Sequence, residues 1–90
     1  MKKKFKAIVA SNKVTKSGSE FKLFREVEGI DNSFKRDHCW ISYIGSRKQL
    51  NKLKLHQVIE FEAEMFEYLN KGYRLRNIRN VKVVGYKKLK

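Results

Sequence analysis

The sequence predicts a mostly β domain: five strands that close into a small barrel, with one short helix between the third and fourth. Three observations lead there. Along Gln57 to Met65, Ile59, Phe61, Ala63 and Met65 alternate with Val58, Glu60, Glu62 and Glu64, the period-two pattern of a strand buried on one face. A second run, Tyr73 to Val84, carries Tyr73, Leu75, Ile78, Val81, Val83 and Val84, and the intervening Leu69-Asn70-Lys71-Gly72 holds the Asn and Gly that tolerate the positive φ of a tight hairpin. The chain also contains no proline, which suits continuous strands.

The remaining elements follow in order. Lys4 to Val14, with Phe5, Ala7 and Val9 set against Lys4, Lys6 and Ile8, reads as the first strand. Thr15-Lys16-Ser17-Gly18-Ser19 is a turn, and Glu20 to Val27 returns antiparallel with Phe21 and Leu23 on one face. Phe24 breaks that alternation and Asn77-Ile78 breaks it in the last strand; both breaks indicate bulges. Gly29 to Asp37 is polar apart from Ile30 and Phe34 and reads as a loop or edge. His38 to Ile44 is the third strand, with Cys39, Ile41 and Tyr43 on one side and His38, Trp40 and Ser42 on the other. Ser46 is placed to cap a helix from Arg47 to about Leu55, where Leu50 and Leu53 fall at helical spacing.

This order is that of the OB-fold, a five-stranded, partly open Greek-key barrel. Leu53 to Ala63 (LKLHQVIEFEA) and Tyr73 to Val81 (YRLRNIRNV) span about a third of the chain and resemble the second half of small bacterial and phage OB-fold proteins. There a short helix leads into an "I-x-F-x-A" strand and a closing "Y-x-L-x-N-I-x-N-V" strand. The resemblance implies the fold and, through it, binding of nucleic acid or oligosaccharide; function is argued from the residues.

Ninety residues allow one domain and one core, with about 60–65% of the unfolded chain's surface buried. Cys39 is the only cysteine, so no internal disulfide forms. With His38 and His56 as the only histidines, a four-ligand zinc site cannot be assembled, and no cofactor is expected. The apolar stretch Ala7 to Ala10 is too short for a signal peptide or membrane span, which predicts a cytoplasmic protein.

Twenty-two Lys and Arg against nine Asp and Glu give a net charge of +13. Residues 1–19 and 68–90 contain basic but no acidic residues, so the excess sits at the two ends. That asymmetry points to a polyanion, nucleic acid first; an anionic membrane lacks the amphipathic basic helix it would need, and a merely solvated basic surface is the plain alternative.

An OB barrel binds across strands two and three and between the loops joining strands one to two and four to five. Lys13 and Lys16 belong to the first loop, and Tyr68, Asn70, Lys71, Tyr73 and Arg74 to the second. Arg25, Trp40 and Phe24 lie on the strands between, and Phe34, Lys35 and Arg36 in the next loop. Arg76 adds a phosphate contact or a flat surface for a base. Cations track phosphates while rings stack on bases, the mixture single strands need. Most of the eleven rings must nevertheless fill the core, Phe5, Phe21 and Phe61 above all; Trp40 is equally suited to core or surface, and Tyr68 and Tyr73 can pair across their hairpin.

Catalysis has little support. Glu60, Glu62 and Glu64 share a strand face, where Lys4, Lys6, Arg74 and Arg76 on neighbouring strands can balance them. Glu20-Phe21-Lys22 has the "ExK" form of a metal-dependent nuclease, but no aspartate precedes it. Gly29-Ile30-Asp31 and Tyr43-Ile44-Gly45 resemble the GIY-YIG endonuclease motif, yet Asp31 stands where its first tyrosine belongs and Leu53 where its arginine belongs. Adjacent His38 and Cys39 point to opposite faces and cannot form a thiol–imidazole pair.

The sequence thus predicts a non-enzymatic module that binds single-stranded DNA or RNA. The alternative is a small phage or mobile-element protein that inhibits a host protein such as a nucleic-acid-handling defence enzyme, using the same aromatics as hot spots. The lysine-rich, asparagine-rich composition suits a low-GC bacterium or its phage.

Overall fold

Five strands and one turn of helix emerge in the expected order: β1 (Lys2–Val14), β2 (Glu20–Gly29), β3 (Lys35–Ser42), α1 (Arg47–Leu50), β4 (Gln57–Glu67) and β5 (Tyr73–Tyr86). The structure, a computed structural model, describes residues 2–14, 16–18, 20–43, 46–67 and 72–88, with Lys13, Val14 and Tyr73 described by backbone alone. The strands form one sheet in the order β3-β2-β1-β4-β5, every neighbouring pair antiparallel. Its edges β3 and β5 come together. The Arg36 guanidinium lies beside Gly72, and the Cys39 thiol lies beside the Leu75 backbone. Both contacts have the same sequence offset, so the two edges approach in the parallel sense.

Bulges curve this sheet. In β2, Glu26 and Val27 together oppose Ala7, and Glu26 takes a φ of 50°. β5 repeats the device. Arg76, Arg79 and Lys82 stand opposite Glu64, Glu62 and Glu60, so three residues of β5 match every two of β4. The extra residues are Asn77 and Asn80, at φ 54° and 52°, in the left-handed region that Asn tolerates better than most residues. Each is followed by an apolar residue, Ile78 or Val81, that packs into or against the core. The run Arg-Asn-Ile-Arg-Asn-Val-Lys is thus a twice-repeated bulge: a cation outward, an Asn at the bend, a hydrophobe inward. The expected phase break at Asn77-Ile78 is the first of the two.

The core gathers Phe5, Ala7 and Val9 from β1, Phe24 and Val27 from β2, Cys39 and Ile41 from β3, Leu50 and Leu53 near α1, and the inward rows of β4 and β5. Phe61 joins Phe5 at 5.6 Å and Phe24 at 5.3 Å between ring centroids. Cys39, Ile41 and Tyr43, expected together on one side of the third strand, are all buried.

Several expectations need correction. Phe21 is not a core residue: it is half-buried on the outer face, and Lys22, only 3% exposed, takes the inward place. Its ammonium donates to the Leu53 carbonyl at 3.3 Å, and burial lowers its pKa. Phe34 is not a loop aromatic facing outward; it is buried against Phe5, ring centroids 5.4 Å apart. Lys35 and Arg36 belong to β3, not to a loop. The helix ends at Leu50 because the next turn tightens: the Leu53 N–H reaches back only to the Leu50 carbonyl. Ser46 makes no side-chain cap; its Oγ instead accepts the Ile78 N–H at 2.9 Å. The bulge leaves Asn77 and Ile78 without ladder partners in β4, so the hydroxyl supplies the acceptor that the strand lacks.

Gly29 is required by a close approach, since a Cβ there would collide with the Asn32 side chain. Asn32 and Asp31 in turn knit the following turn to Lys4: the Lys4 N–H donates to Asp31 Oδ1 and Asn32 Nδ2 to the Lys4 carbonyl. Asn32, also donating to Asp31, and then the Lys4 N–H hold that carboxyl below its ordinary range. Among the described residues no helix is long and apolar enough to cross a membrane.

Candidate nucleic-acid interface

The approach of β3 to β5 creates a cleft on the outer face of about 320 Å³, lined by Phe21, Trp40, Ser42, Phe66, Arg74, Leu75 and Arg76. Four strands build it. Phe21 sits opposite Ser42 in the β2–β3 ladder, and Phe66 opposite Arg74 in the β4–β5 ladder. The offset between β3 and β5 sets Arg76 level with Trp40. Strand alternation therefore turns three aromatic rings and two guanidinium groups onto one outer surface, while Ile41 and Cys39 of the same strand point inward.

The cleft's electrostatics are cationic. The Arg76 guanidinium lies 4.6 Å from the Phe66 ring centroid, and its Nε donates to Glu64 Oε2 at 3.2 Å. Glu64 also accepts from Asn77, and the two donors, Asn77 first, hold its pKa below the ordinary value. Arg76 is thereby fixed over a ring at the cleft's edge, with its side chain 56% exposed. Such a guanidinium plane can stack on a base or meet a phosphate.

Of the residues the sequence singled out, Trp40, Arg74 and Arg76 come together here, which settles Trp40 on the outer face. Arg36 reaches the start of β5 beside Gly72 and lies 5.1 Å over Phe34, and is not among the residues that line the cleft. Arg25 is paired with Asp37 at 3.5 Å, and Lys35 is exposed opposite Glu28; neither lines the cleft. Lys16 is exposed in the β1–β2 turn. Phe24, read as a strand-face residue of the groove, is fully buried instead. Tyr68, Asn70 and Lys71, and the side chains of Lys13 and Tyr73, lie outside the described residues.

The sequence reading missed Phe21 and Phe66. Phe66 was visible: it follows Glu60, Glu62 and Glu64 in the outward set of β4, an aromatic ring closing an acidic row. Phe21 was hidden by the run Phe-Lys-Leu-Phe, whose inward phase local alternation cannot fix.

The acidic row is balanced as expected. Glu60, Glu62 and Glu64 face Lys6, Lys4 and Lys2 in β1 and Lys82, Arg79 and Arg76 in β5, while Arg74 faces Phe66 instead. Asn80 also donates to Glu62 at 2.8 Å. Glu20 and Lys22 have structural partners: Arg47 donates to both Glu20 oxygens at 3.1 and 3.2 Å, and Lys22 is held inside. Burial raises the pKa of Cys39, which marks it as an inert core thiol. Among the described residues no group of three or more His, Cys, Asp or Glu is arranged to hold a metal ion.

No protein-family model matches the chain, and neither a curated protein nor a solved structure does.

Proposed function

We propose that the chain is a non-catalytic module of OB type that holds single-stranded nucleic acid across the cleft between β2, β3, β4 and β5. Three features support the fold reading: the sheet order, the helix between β3 and β4, and the parallel approach of β3 to β5, which would complete a barrel. The observation that carries the function is the cleft itself, where Phe21, Trp40 and Phe66 share one surface with Arg74 and Arg76. Half-buried rings at a cleft can stack on any base, and the two arginines meet the phosphates between bases. Both DNA and RNA offer rings and phosphates, so the reading covers single strands of either kind.

Fluorescence anisotropy with labelled single strands and duplex at several salt concentrations tests it. Single strands should bind in preference to duplex, with log affinity falling against log salt by about 0.7 for each phosphate neutralised. Trp40→Ala should weaken binding about five- to 150-fold, the loss of one stacking contact of about 1–3 kcal/mol. Equal binding of duplex and single strand, or no binding at low salt, would overturn the proposal. The rival, a protein-binding inhibitor, is favoured by one observation, the exposed Val83, Val84 and Tyr86 on the edge strand β5. It predicts no salt-dependent oligonucleotide binding at all.

A further inference from the structure

A second basic hollow lies at α1, about 350 Å³ in volume, where Arg47, Lys48 and Arg79 converge with Gln49 and Ser46. None of these lining residues is a carboxylate. Two other surface hollows differ in kind: one is lined by Glu60 and Glu62 with lysines, the other by Glu26 and Glu28 with lysines. There carboxylates line the hollow itself; at α1 the cations also have partners, but outside the lining: Arg47 is paired with Glu20 at 3.1 Å, and Arg79 stands opposite Glu62 in the ladder and donates to the Ile78 carbonyl at 2.9 Å. Glu62 accepts from Asn80 and lines a different hollow with Lys4 and Lys82.

Position ties this hollow to the cleft. Arg79 is the next outward cation after Arg76 in the repeated bulge, roughly 7 Å farther along β5, because the bulged step spans two residues of β4 at about 3.3 Å each. On the other side, Arg47 lies 5.3 Å over the Tyr43 ring and bonds Glu20, the immediate neighbours of the cleft residues Ser42 and Phe21. Ser46 anchors the two sides together through the Ile78 N–H. The cations Arg74, Arg76 and Arg79 therefore follow one another along β5 from the aromatic cleft to the α1 hollow, where Lys48 also lies.

We propose that the α1 hollow is a second phosphate subsite, in which Lys48, Arg79 and Arg47 take a backbone phosphate of a strand whose bases stack in the cleft. The inference rests on the cleft reading and deepens it. The binding footprint becomes longer than the cleft alone, and affinity rises with oligonucleotide length until the strand reaches α1.

The test compares labelled oligothymidylates of about four and about twelve nucleotides, lengths within the usual footprint range of such modules. The proteins are wild type, Lys48→Gln/Arg79→Gln, and the charge-matched control Lys6→Gln/Lys82→Gln; Lys6 and Lys82 are exposed and lie in the carboxylate-lined hollows. The α1 pair should weaken the long strand roughly tenfold, as expected for two charge contacts at the surface. It should also cut the salt slope by about 1.4 while leaving the short strand unchanged. The control should leave the length dependence intact. Equal weakening at both lengths, or equal weakening by the control, would assign the effect to the general field and overturn the subsite. Unchanged long-strand binding in the α1 pair, with Trp40→Ala still damaging, would overturn the subsite and spare the cleft. Failure of wild type to bind either length would remove both.

Discussion

Ser46→Ala is the sharpest probe of how the site is assembled. Ser46 is 1% exposed and Ile78 fully buried, and the Ser46 Oγ accepts the Ile78 N–H at 2.9 Å. The bulge gives Ile78 no ladder partner in β4, so the hydroxyl is that N–H's acceptor. Alanine removes the oxygen and leaves the backbone shape intact. The loss is the desolvation penalty of a buried unsatisfied donor, about 1–3 kcal/mol. For a chain of this size each kcal/mol moves Tm by about 4–8 °C, so a fall between about 4 and 24 °C is expected. Urea denaturation followed by circular dichroism is the assay. The midpoint should drop with m unchanged, because the same surface is exposed on unfolding. Ser33→Ala, at an exposed position, should stay within about 0.5 kcal/mol of wild type. A Ser46→Ala loss no larger than that of the control would refute the anchoring role.

Other predictions address the charges and the bends. Burial holds the Lys22 pKa below 10.5, so the unfolded chain binds the proton more tightly. Wild type therefore gains stability as pH climbs from the folded pKa toward 10.5. Lys22→Met should lack that gain; urea melts near neutral pH and at about pH 10 compare the two, and equal slopes would contradict the buried ammonium. Glu64 is shifted the other way, its carboxyl held below 4.5 by Asn77 and Arg76. Its stabilisation is full above 4.5 and is lost as pH falls through the lower folded value, so the gap between wild type and Glu64→Gln should close on acidification in thermal melts. At Asn80, with φ 52°, alanine should cost about 1 kcal/mol in a urea melt and more than glycine does, because glycine alone escapes the left-handed penalty.

Much of the fold was legible because its signals are local and redundant. The alternation of Ile59, Phe61, Ala63 and Met65 against glutamates fixed β4, and Asn77-Ile78 announced a bulge that Asn80-Val81 repeats. Alternation puts Cys39, Ile41 and Tyr43 on one side of β3 and Trp40 on the other, but leaves open whether Trp40 faces the core; the structure places it in the cleft. What escaped depends on long-range contacts. Lys22 turns inward because the Leu53 carbonyl, thirty-one residues away, receives its ammonium, and that sends Phe21 out to the cleft. Phe34 is drawn from an otherwise polar stretch by the ring of Phe5. The Ser46 hydroxyl serves a strand thirty-two residues on rather than its own helix. For the site, Arg74, Arg76 and Trp40 could be named as residue types, but their convergence depends on the β3–β5 approach, which no single stretch of sequence encodes.

Trp40 is the only tryptophan and lines the cleft, so its fluorescence reports on that one place. Titrating the protein with an unlabelled single-stranded oligonucleotide while following this emission tests the central claim most directly. A saturable quench that added salt reverses, and that Arg74→Gln/Arg76→Gln weakens, is the predicted result. Oligonucleotide binding detected by anisotropy with Trp40 emission unchanged would place the nucleic acid elsewhere and contradict the account.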